Sequence, residues 1–341
     1  MKNKIFILFD CPDETNDKKW LLEELSKLHG GNVYSVSITR KLHRMLVGNL
    51  FEKIHSNLII LWQCIRALKL GSRKKDVFIT WNRRTGLFLN AILVLLHRKN
   101  KLITMNWLTP KPNESTIKLI QKVFKNPYAQ IIVNSPESEI EWNFQMKRQR
   151  SNITVIPDVY DSGTTFVKRE KKDDYCFTGG YNNRNWNVIK ELAFKHPSIS
   201  FVCVANKNDF ESVVKEDIPS NMKVLFDIEA AHYYDLMRDA YIVLLPLRDK
   251  RVAGLINIVK SASFGVPCMI TKTVSTAQYY ASGSTLLVDE KVNQSWSGAF
   301  EKILKMNECD YQKMCSEYAN FVKNNFAPQN AAKKIYEITV H

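Results

Sequence analysis

At 341 residues the chain exceeds one typical α/β domain and accommodates two of about 150 to 170 residues each. With 45% hydrophobic, 24% charged and 11% aromatic residues it has a globular composition, which excludes disorder, collagen and coiled coil as the main architecture. Its 49 Lys and Arg against 34 Asp and Glu leave a net +15 and point to an anionic partner: nucleic acid, a membrane surface or phosphate-bearing substrates.

The charge is unevenly spread. Residues 1–165 hold 26 basic and 14 acidic side chains (+12), whereas residues 166–341 hold 23 and 20 (+3). Residues 40–101 alone hold 14 basic and two acidic side chains, Glu52 and Asp76, again +12. The seven cysteines are scattered without a C-x-x-C, so they read as small buried hydrophobes in a reducing compartment rather than as disulfides or a zinc site.

The first apolar run, IFILF (5–9), meets Asp10, Asp13 and Glu14 at once and offers no small-residue cleavage site; it reads as a buried strand, not a signal peptide. Further short β-branched runs follow at VYSVSI (33–38), VFIT (77–80), LITMN (102–106), IIVN (131–134) and the strand and turn ITVIPDVYD. A second series comprises YCFTG (175–179), ISFVCV (199–204), KVLF (223–226), YIVLL (241–245), PCMIT (267–271) and TLLV (285–288). Runs apolar on both faces that alternate with helical patterns predict parallel sheets covered by helices, and two series predict two doubly wound α/β domains. The division expected is 1–163 for the first domain and 174–325 for the second, with a polar, charge-dense stretch between them. Residues 326–341 form a last helix beyond a bend at Pro328, able to pack back on the first domain. No stretch reaches about 18 uncharged apolar residues, so no membrane crossing is expected.

Ligands of such sheets bind beyond the carboxyl ends of the strands, which turns attention to the loops there. In YCFTGGYNNRNW, Gly179 and Gly180 allow backbone N–H groups to approach a phosphate, the helix start adds a positive dipole end, and Arg184 adds a forked donor. The competing reading is a tight turn with a solvated arginine. In LLPLRDKRVAGLINIVKSASFGVPCMIT, Arg248, Lys250 and Arg251 precede Gly254, which opens a helix; this is a candidate diphosphate site, against a plain run of surface charges.

The segment A-G-x(5)-K-S-A-S-F-G-V-P-C-M-I-T (253–271) resembles the C-terminal signature of the retaining, nucleotide-sugar-dependent GT-B glycosyltransferases, roughly G-x(5)-E-A-M-A-x-G-x-P-V-I-x-T, with Gly265, Pro267, Ile270 and Thr271 matching. VIPDVYD (155–161) is similar to that group's crossing into the second domain, and FTGGYNNRNW to its first phosphate loop. The resemblance covers residues 131–290 well and the first domain in outline. It implies two Rossmann-like domains facing a cleft and transfer of a hexosyl-type sugar with retention. It also implies a nucleotide diphosphate sugar as co-substrate and no cofactor or bound metal, because helix ends and Arg or Lys neutralise the leaving diphosphate.

One departure concerns the two glutamates, eight residues apart, that this group often carries. Val252 stands at the first position and Lys260 at the second, where the family's glutamate contacts the donor ribose. A lysine cannot accept hydrogen bonds from ribose hydroxyls but can pair with phosphate. Two readings follow: the donor is held differently, by Asn257 or the cations at 248–251, or activity is lost and the protein serves as partner or scaffold of another transferase. On the first, Arg184 and Arg248 stabilise the leaving group, and Gly179, Gly180, Lys250, Arg251, Gly254, Asn257 and Lys260 bind the donor.

On the acceptor side, Asp10 and Asp13 are either proton acceptors for an acceptor hydroxyl or an N-cap pair. Asn106–Trp107 stands where many relatives present a histidine, so no positioned imidazole is implied. Trp81 and Trp107 are either sugar-stacking or core aromatics. Asn82, Arg83 and Arg84 are candidates for an acceptor phosphate, while His29, His97 and His196 follow helices as ordinary caps. Leu42, Met45, Leu46, Leu50, Ile54 and Leu58 fall at helical spacing with Arg40, Lys41, Arg44 and Lys53 on other faces, a basic amphipathic pattern that marks either a membrane-surface helix or a core helix with a solvated face. No recognition-helix, RNP, zinc-finger or KH signature supports nucleic acid. The expectation is thus a cytoplasmic protein at the inner face of an anionic membrane, acting on a lipid-linked saccharide in surface polysaccharide or glycolipid assembly.

Overall fold

The computed structural model describes residues 3–11, 19–38, 50–71, 73–105, 118, 120–121, 126–146, 152–160, 175–180, 183–214, 217–249, 252–289 and 295–340. The chain divides into two compact units, Met1–Pro157 with Pro328–His341, and Asp158–Ala327. Each is built on its own all-parallel six-stranded sheet.

In unit 1 the strands β1 (Ile5–Leu8), β2 (Val33–Val36), β3 (Val77–Thr80), β4 (Leu102–Thr104), β5 (Ala129–Val133) and β6 (Ile153–Val155) lie in the order β2-β1-β3-β4-β5-β6. Helices α1 (Lys19–His29), α2 (Leu50–Leu70), α3 (Arg83–Leu95) and α4 (Pro136–Met146) connect them. Central β1 and β3 are buried throughout, as expected of strands covered on both faces, whereas edge strand β2 exposes Tyr34. Strand register is in step across the centre, Ile5 beside Val33 and Val77. The last helix of the chain also belongs to this unit. Helix α12 (Pro328–Val340) packs against α1, with the Tyr336 ring 5.7 Å from that of His29 and Lys101 Nζ donating to Ile338 O (2.8 Å).

Unit 2 repeats the plan. Its strands β7 (Tyr175–Gly180), β8 (Ser200–Ala205), β9 (Met222–Phe226), β10 (Ile242–Leu245), β11 (Cys268–Thr271) and β12 (Leu287–Val288) lie in the order β12-β11-β10-β7-β8-β9. The covering helices are α5 (Trp186–Lys195), α6 (Lys207–Val213), α7 (Ala230–Asp239), α8 (Leu255–Ser263), α9 (Val274–Ala277), α10 (Trp296–Leu304) and α11 (Glu308–Asn325). Phe177, Phe201, Val243, Leu244, Ile258 and Phe300 are among the buried side chains of one continuous core. Six of the seven cysteines are buried; Cys309 is exposed. Burial raises the thiols of Cys64 and Cys268 to about 12, so they behave as apolar filler.

Both sheets reverse direction once. The chain winds outward from β1 to β2 and then from β3 to β6, and outward from β7 to β9 and then from β10 to β12. The reversal points lie between β1 and β3 and between β7 and β10, where ligands of open α/β sheets bind. Among the described residues no helix is long and apolar enough to cross a membrane.

Ile335 is fully buried on α12, which packs on α1. Ile335→Ala should therefore destabilise unit 1 by roughly 2–5 kcal/mol, seen as an earlier transition in urea unfolding, whereas Lys333→Ala on the exposed side should leave the midpoint in place.

Candidate functional site

The reversal point of unit 2 gathers most of the described candidate residues. Strand β7 ends in Gly179 and Gly180, and the loop after it is fastened to the loop after β10. Arg184 and Leu247 form an antiparallel bridge. Asn185 N donates to Pro246 O (2.9 Å) and Arg248 N to Asn183 O (3.1 Å), while Asn183 Nδ2 donates to Asp249 O (3.1 Å). Leu247 N in turn donates to Thr271 Oγ1 (3.0 Å) at the end of β11. Backbone groups that lack ladder partners beyond the strand ends are thus satisfied by one another and by side chains, and two loops and the end of β11 become one hydrogen-bonded unit.

Arg184 lies inside that unit, only 3% exposed, rather than solvated on a turn. Its Nε donates to Gly179 O (2.9 Å). A Cβ on Gly180 would stand 2.5 Å from Arg184 Nη2, and one on Gly254 3.5 Å from the same nitrogen, so the guanidinium runs between the end of β7 and the start of α8. Gly180 and Gly254 also adopt φ of 135° and 79°, conformations that L side chains rarely take. Burial lowers the proton affinity of Arg184, while Tyr233, Cys268 and Asp209 act in the opposite direction. A cation in so dry a place interacts with any anion beside it more strongly than it would in water.

Asn257, in the first turn of α8, braces the glycine strand from the other side. Its Nδ2 donates to Gly179 O (3.1 Å) and to Tyr233 Oη (2.8 Å). Tyr233 on α7 packs so closely that a Cβ on Gly179 would lie 2.6 Å from its ring. Burial raises the Tyr233 phenol far above its ordinary range, which keeps it neutral. Lys260, one turn after Asn257, turns toward α7 as well, its Nζ 5.4 Å from the ring centroid of Tyr234, a cation–π arrangement.

Arg248 has a carboxylate partner. Its Nη2 meets Asp209 Oδ1 at 2.7 Å, and the other oxygen of Asp209 accepts from Trp186 Nε1 (3.2 Å). Asp209 sits in the first turn of α6, capped by Asn206. Asp13, Lys250 and Arg251 lie outside the described residues, as do Asn106 and Trp107.

At the reversal point of unit 1, the residues proposed for an acceptor phosphate separate. Asn82 Oδ1 caps α3 by accepting from Thr85 N (2.9 Å). Arg84 spans to α2, donating to Ser56 Oγ (2.7 Å) and, through two nitrogens, to Asn57 Oδ1 (2.6 and 3.1 Å). Both serve as struts. Arg83 opens α3 half-buried, its proton affinity lowered by that burial. Trp81 packs against Phe9 (5.9 Å) and edge-on to Trp20 (6.2 Å) and is only partly buried. Asp209 and Tyr233 escaped the sequence reading, and Thr271 entered it only as a match to the signature: each acts through a partner distant along the chain, and no local spacing announces such a pairing.

Neither a protein-family model nor a curated protein matches the sequence. Solved structures do match. The chain is similar to a UDP-forming α,α-trehalose-phosphate synthase from Burkholderia xenovorans, at 10% identity over 100% of this chain and 99% of that one, with a TM-score of 0.64. It is similar to HepE of Anabaena in complex with UDP-glucose, at 12% identity over 98% of each chain, with a TM-score of 0.67. A counterpart of the first, from Burkholderia vietnamiensis, gives 11% identity over 99% of each chain and a TM-score of 0.63. The protein has the GT-B glycosyltransferase fold, with two parallel six-stranded sheets covered by helices.

Because Gly180 combines a positive φ with close contact to Arg184, Gly180→Ala should cost about 1–3 kcal/mol of stability, read as a lowered melting temperature.

Proposed function

We propose that the protein is a glycosyltransferase that moves a sugar from a nucleotide diphosphate donor, bound at the reversal point of unit 2, to a saccharide acceptor. One observation carries this reading: a buried guanidinium, Arg184, held between the glycine end of β7 and the glycine that opens α8. Negative charge grows on the diphosphate as the glycosidic bond to the leaving group breaks. Cationic groups and a helix N-terminus fixed in advance meet that charge without reorganisation. In this reading Arg184 and Arg248 stabilise the leaving diphosphate, and Gly179, Gly180 and Gly254 let backbone approach it. Asn257 holds the glycine strand in position, while Lys250, Arg251 and Lys260 add positive charge. Asp13 would take the proton of the acceptor hydroxyl. Retention of configuration and a hexosyl donor follow the fold resemblance, and the relatives that carry UDP or form it make UDP-linked sugars the first donors to test.

The acceptor, on this reading, is a saccharide carried on a lipid in surface polysaccharide or glycolipid assembly, and the enzyme works at the cytoplasmic face of an anionic membrane. The support is the concentration of positive charge in residues 40–101. A second reading, a catalytically silent partner or scaffold of another transferase, is favoured by two contacts. Asp209 engages Arg248, and the Lys260 ammonium lies over Tyr234, at the position where the resemblance expects a ribose-binding glutamate.

Thermal unfolding with UDP-, GDP-, ADP- and CMP-linked compounds separates the two. A donor at about a hundred times its Kd should stabilise the protein by about 2.7 kcal/mol. Arg184→Ala should abolish the shift, and Asp209→Asn, which removes the carboxylate competing for Arg248, should strengthen it. The silent reading requires that no nucleotide shifts the transition even at millimolar concentration.

A further inference from the structure

Helix α2 buries one face and exposes the other. Ile59, Ile60, Gln63, Cys64, Ala67 and Leu68 are buried, and Gln63 Nε2 donates to Phe9 O (2.7 Å) and Val36 O (2.6 Å), fixing which side faces the sheet. On the other side Leu58, Trp62 and Ile65 are 56%, 49% and 42% exposed. With Lys69 they fall at i, i+4, i+7 and i+11, a single outward stripe along the helix. A helix presented to water alone would carry polar residues there.

The stripe continues onto a neighbour. Helix α3 packs beside α2, and Arg98, just after α3, donates to Leu68 O (3.2 Å) and Gly71 O (2.5 Å), fastening the two helix ends together. Leu70 on α2 and Val94, Leu95 and Leu96 at the end of α3 are exposed. Around them stand the exposed cations Arg66, Lys69, Arg73, Lys74, Lys75 and Lys99. Arg66 lies over Trp62, its guanidinium carbon 5.5 Å from the ring centroid. Asp76 offsets little of this charge at the surface, since it is buried and accepts from Lys4 N (3.0 Å) and Arg73 N (3.1 Å).

From this arrangement we infer that the outer face of α2, with the end of α3, docks on an anionic lipid bilayer, Leu58, Trp62 and Ile65 entering the headgroup boundary while the surrounding cations meet lipid phosphates. An apolar stripe parallel to the helix axis with a basic rim is the complement of such an interface, and an indole beside an arginine suits the headgroup depth. Nucleic acid would use the cations and leave Leu58 and Ile65 unpaired. A protein interface would hold an apolar centre but does not explain the exposed cations Arg66, Lys69, Arg73, Lys74, Lys75 and Lys99 beside it. The inference gives the lipid-carried acceptor reading a specific docking surface and rests on that reading for its purpose. The residues differ from those the sequence pattern singled out: of that stripe Leu58 is described and exposed, while residues 39–49 lie outside the described residues.

Cosedimentation of the full chain with phosphatidylcholine vesicles, with and without phosphatidylglycerol, tests it. Binding is expected only with phosphatidylglycerol and should weaken with salt. Arg66→Gln combined with Lys69→Gln should lower the partition coefficient roughly twenty- to thirtyfold, at about fivefold per cation removed. Trp62→Ser combined with Ile65→Ser should lower it by about tenfold or more, whereas Lys302→Gln, at an exposed site of unit 2, should not change it. No binding, equal binding to both vesicles, or equal binding by all variants overturns the inference. So does loss of random-duplex DNA binding in step with vesicle binding when only Trp62 and Ile65 are changed. Thermal shift with nucleotide sugars on the same preparations checks folding and keeps the two proposals apart, since vesicle binding without a nucleotide shift defeats the transfer reading alone, and the converse defeats the docking face alone.

Discussion

A parallel sheet whose chain winds outward in both directions leaves its two central strands without a crossover between them, and the rest of unit 2 is arranged around that gap. Beyond the carboxyl ends of β7 and β10 the backbone has no ladder to continue, so its N–H and C=O groups must find other partners. They find one another through Asn185 and Pro246 and through Arg248 and Asn183, while Leu247 N donates to the side-chain hydroxyl of Thr271. These bonds tie the described residues of the two loops to each other and to the end of β11. They also bring Arg184 inward, because a residue bridged to Leu247 has its side chain directed back toward the glycines of β7.

Three of the six positive-φ residues of unit 2 among the described residues lie near this place, the others being Asp227, Gly265 and Gly283. Gly180, Asn183 and Gly254 have φ of 135°, 62° and 79°; Gly180 ends β7, and Asn183 and Gly254 lie in the loops after β7 and β10. Such conformations persist only where the surroundings over-determine them. Here the surroundings are identifiable: the Arg184 guanidinium against Gly180 and Gly254, and Asn257 joined to both Gly179 and Tyr233. Local preference is overruled where a charged group is packed beside bare backbone, and structures that bind anions have reason to do this. The Asp209–Arg248 pair shows the opposite strategy at the rim of the same region, a partly exposed cation held by a carboxylate that is itself fixed by Trp186.

The fold was legible because buried parallel strands write short, doubly apolar runs into the sequence, clearest at β1, β3 and β10 and weaker at edge strand β2, where Tyr34 is exposed. What periodicity hides is strand order, since nothing in a run of valines and isoleucines says which neighbour it will take. The glycines and Arg184 of the phosphate-type loop stood out because glycine pairs and a lone arginine after a strand are rare enough to notice. Asn82 and Arg84 looked equally conspicuous, yet one caps a helix and the other ties α3 to α2. A polar residue after a strand is needed for capping as often as for ligands, and the sequence carries the same letters for both uses. The long-range partners Asp209 and Tyr233 were silent for a related reason, as was the bond between Thr271 and Leu247, because these roles arise only once strands far apart in sequence are adjacent.

The two units treat positive charge in physically different ways. Unit 2, nearly neutral in sum, buries Arg184 in a dry setting and pairs Arg248, so what matters there is the position of a few fixed groups at short range. Unit 1 exposes Arg66 and Lys69 on α2 and Arg73, Lys74, Lys75 and Lys99 nearby, where each charge acts weakly through water, is screened over about 8 Å at physiological ionic strength, and counts only in number. A fixed pair of charges suits a small anion that must be held in one orientation. A diffuse field suits a large anionic surface on which orientation is set by something else, in the docking proposal the apolar stripe of Leu58, Trp62 and Ile65. Net charge alone could not separate these cases; its distribution between buried and displayed cations does.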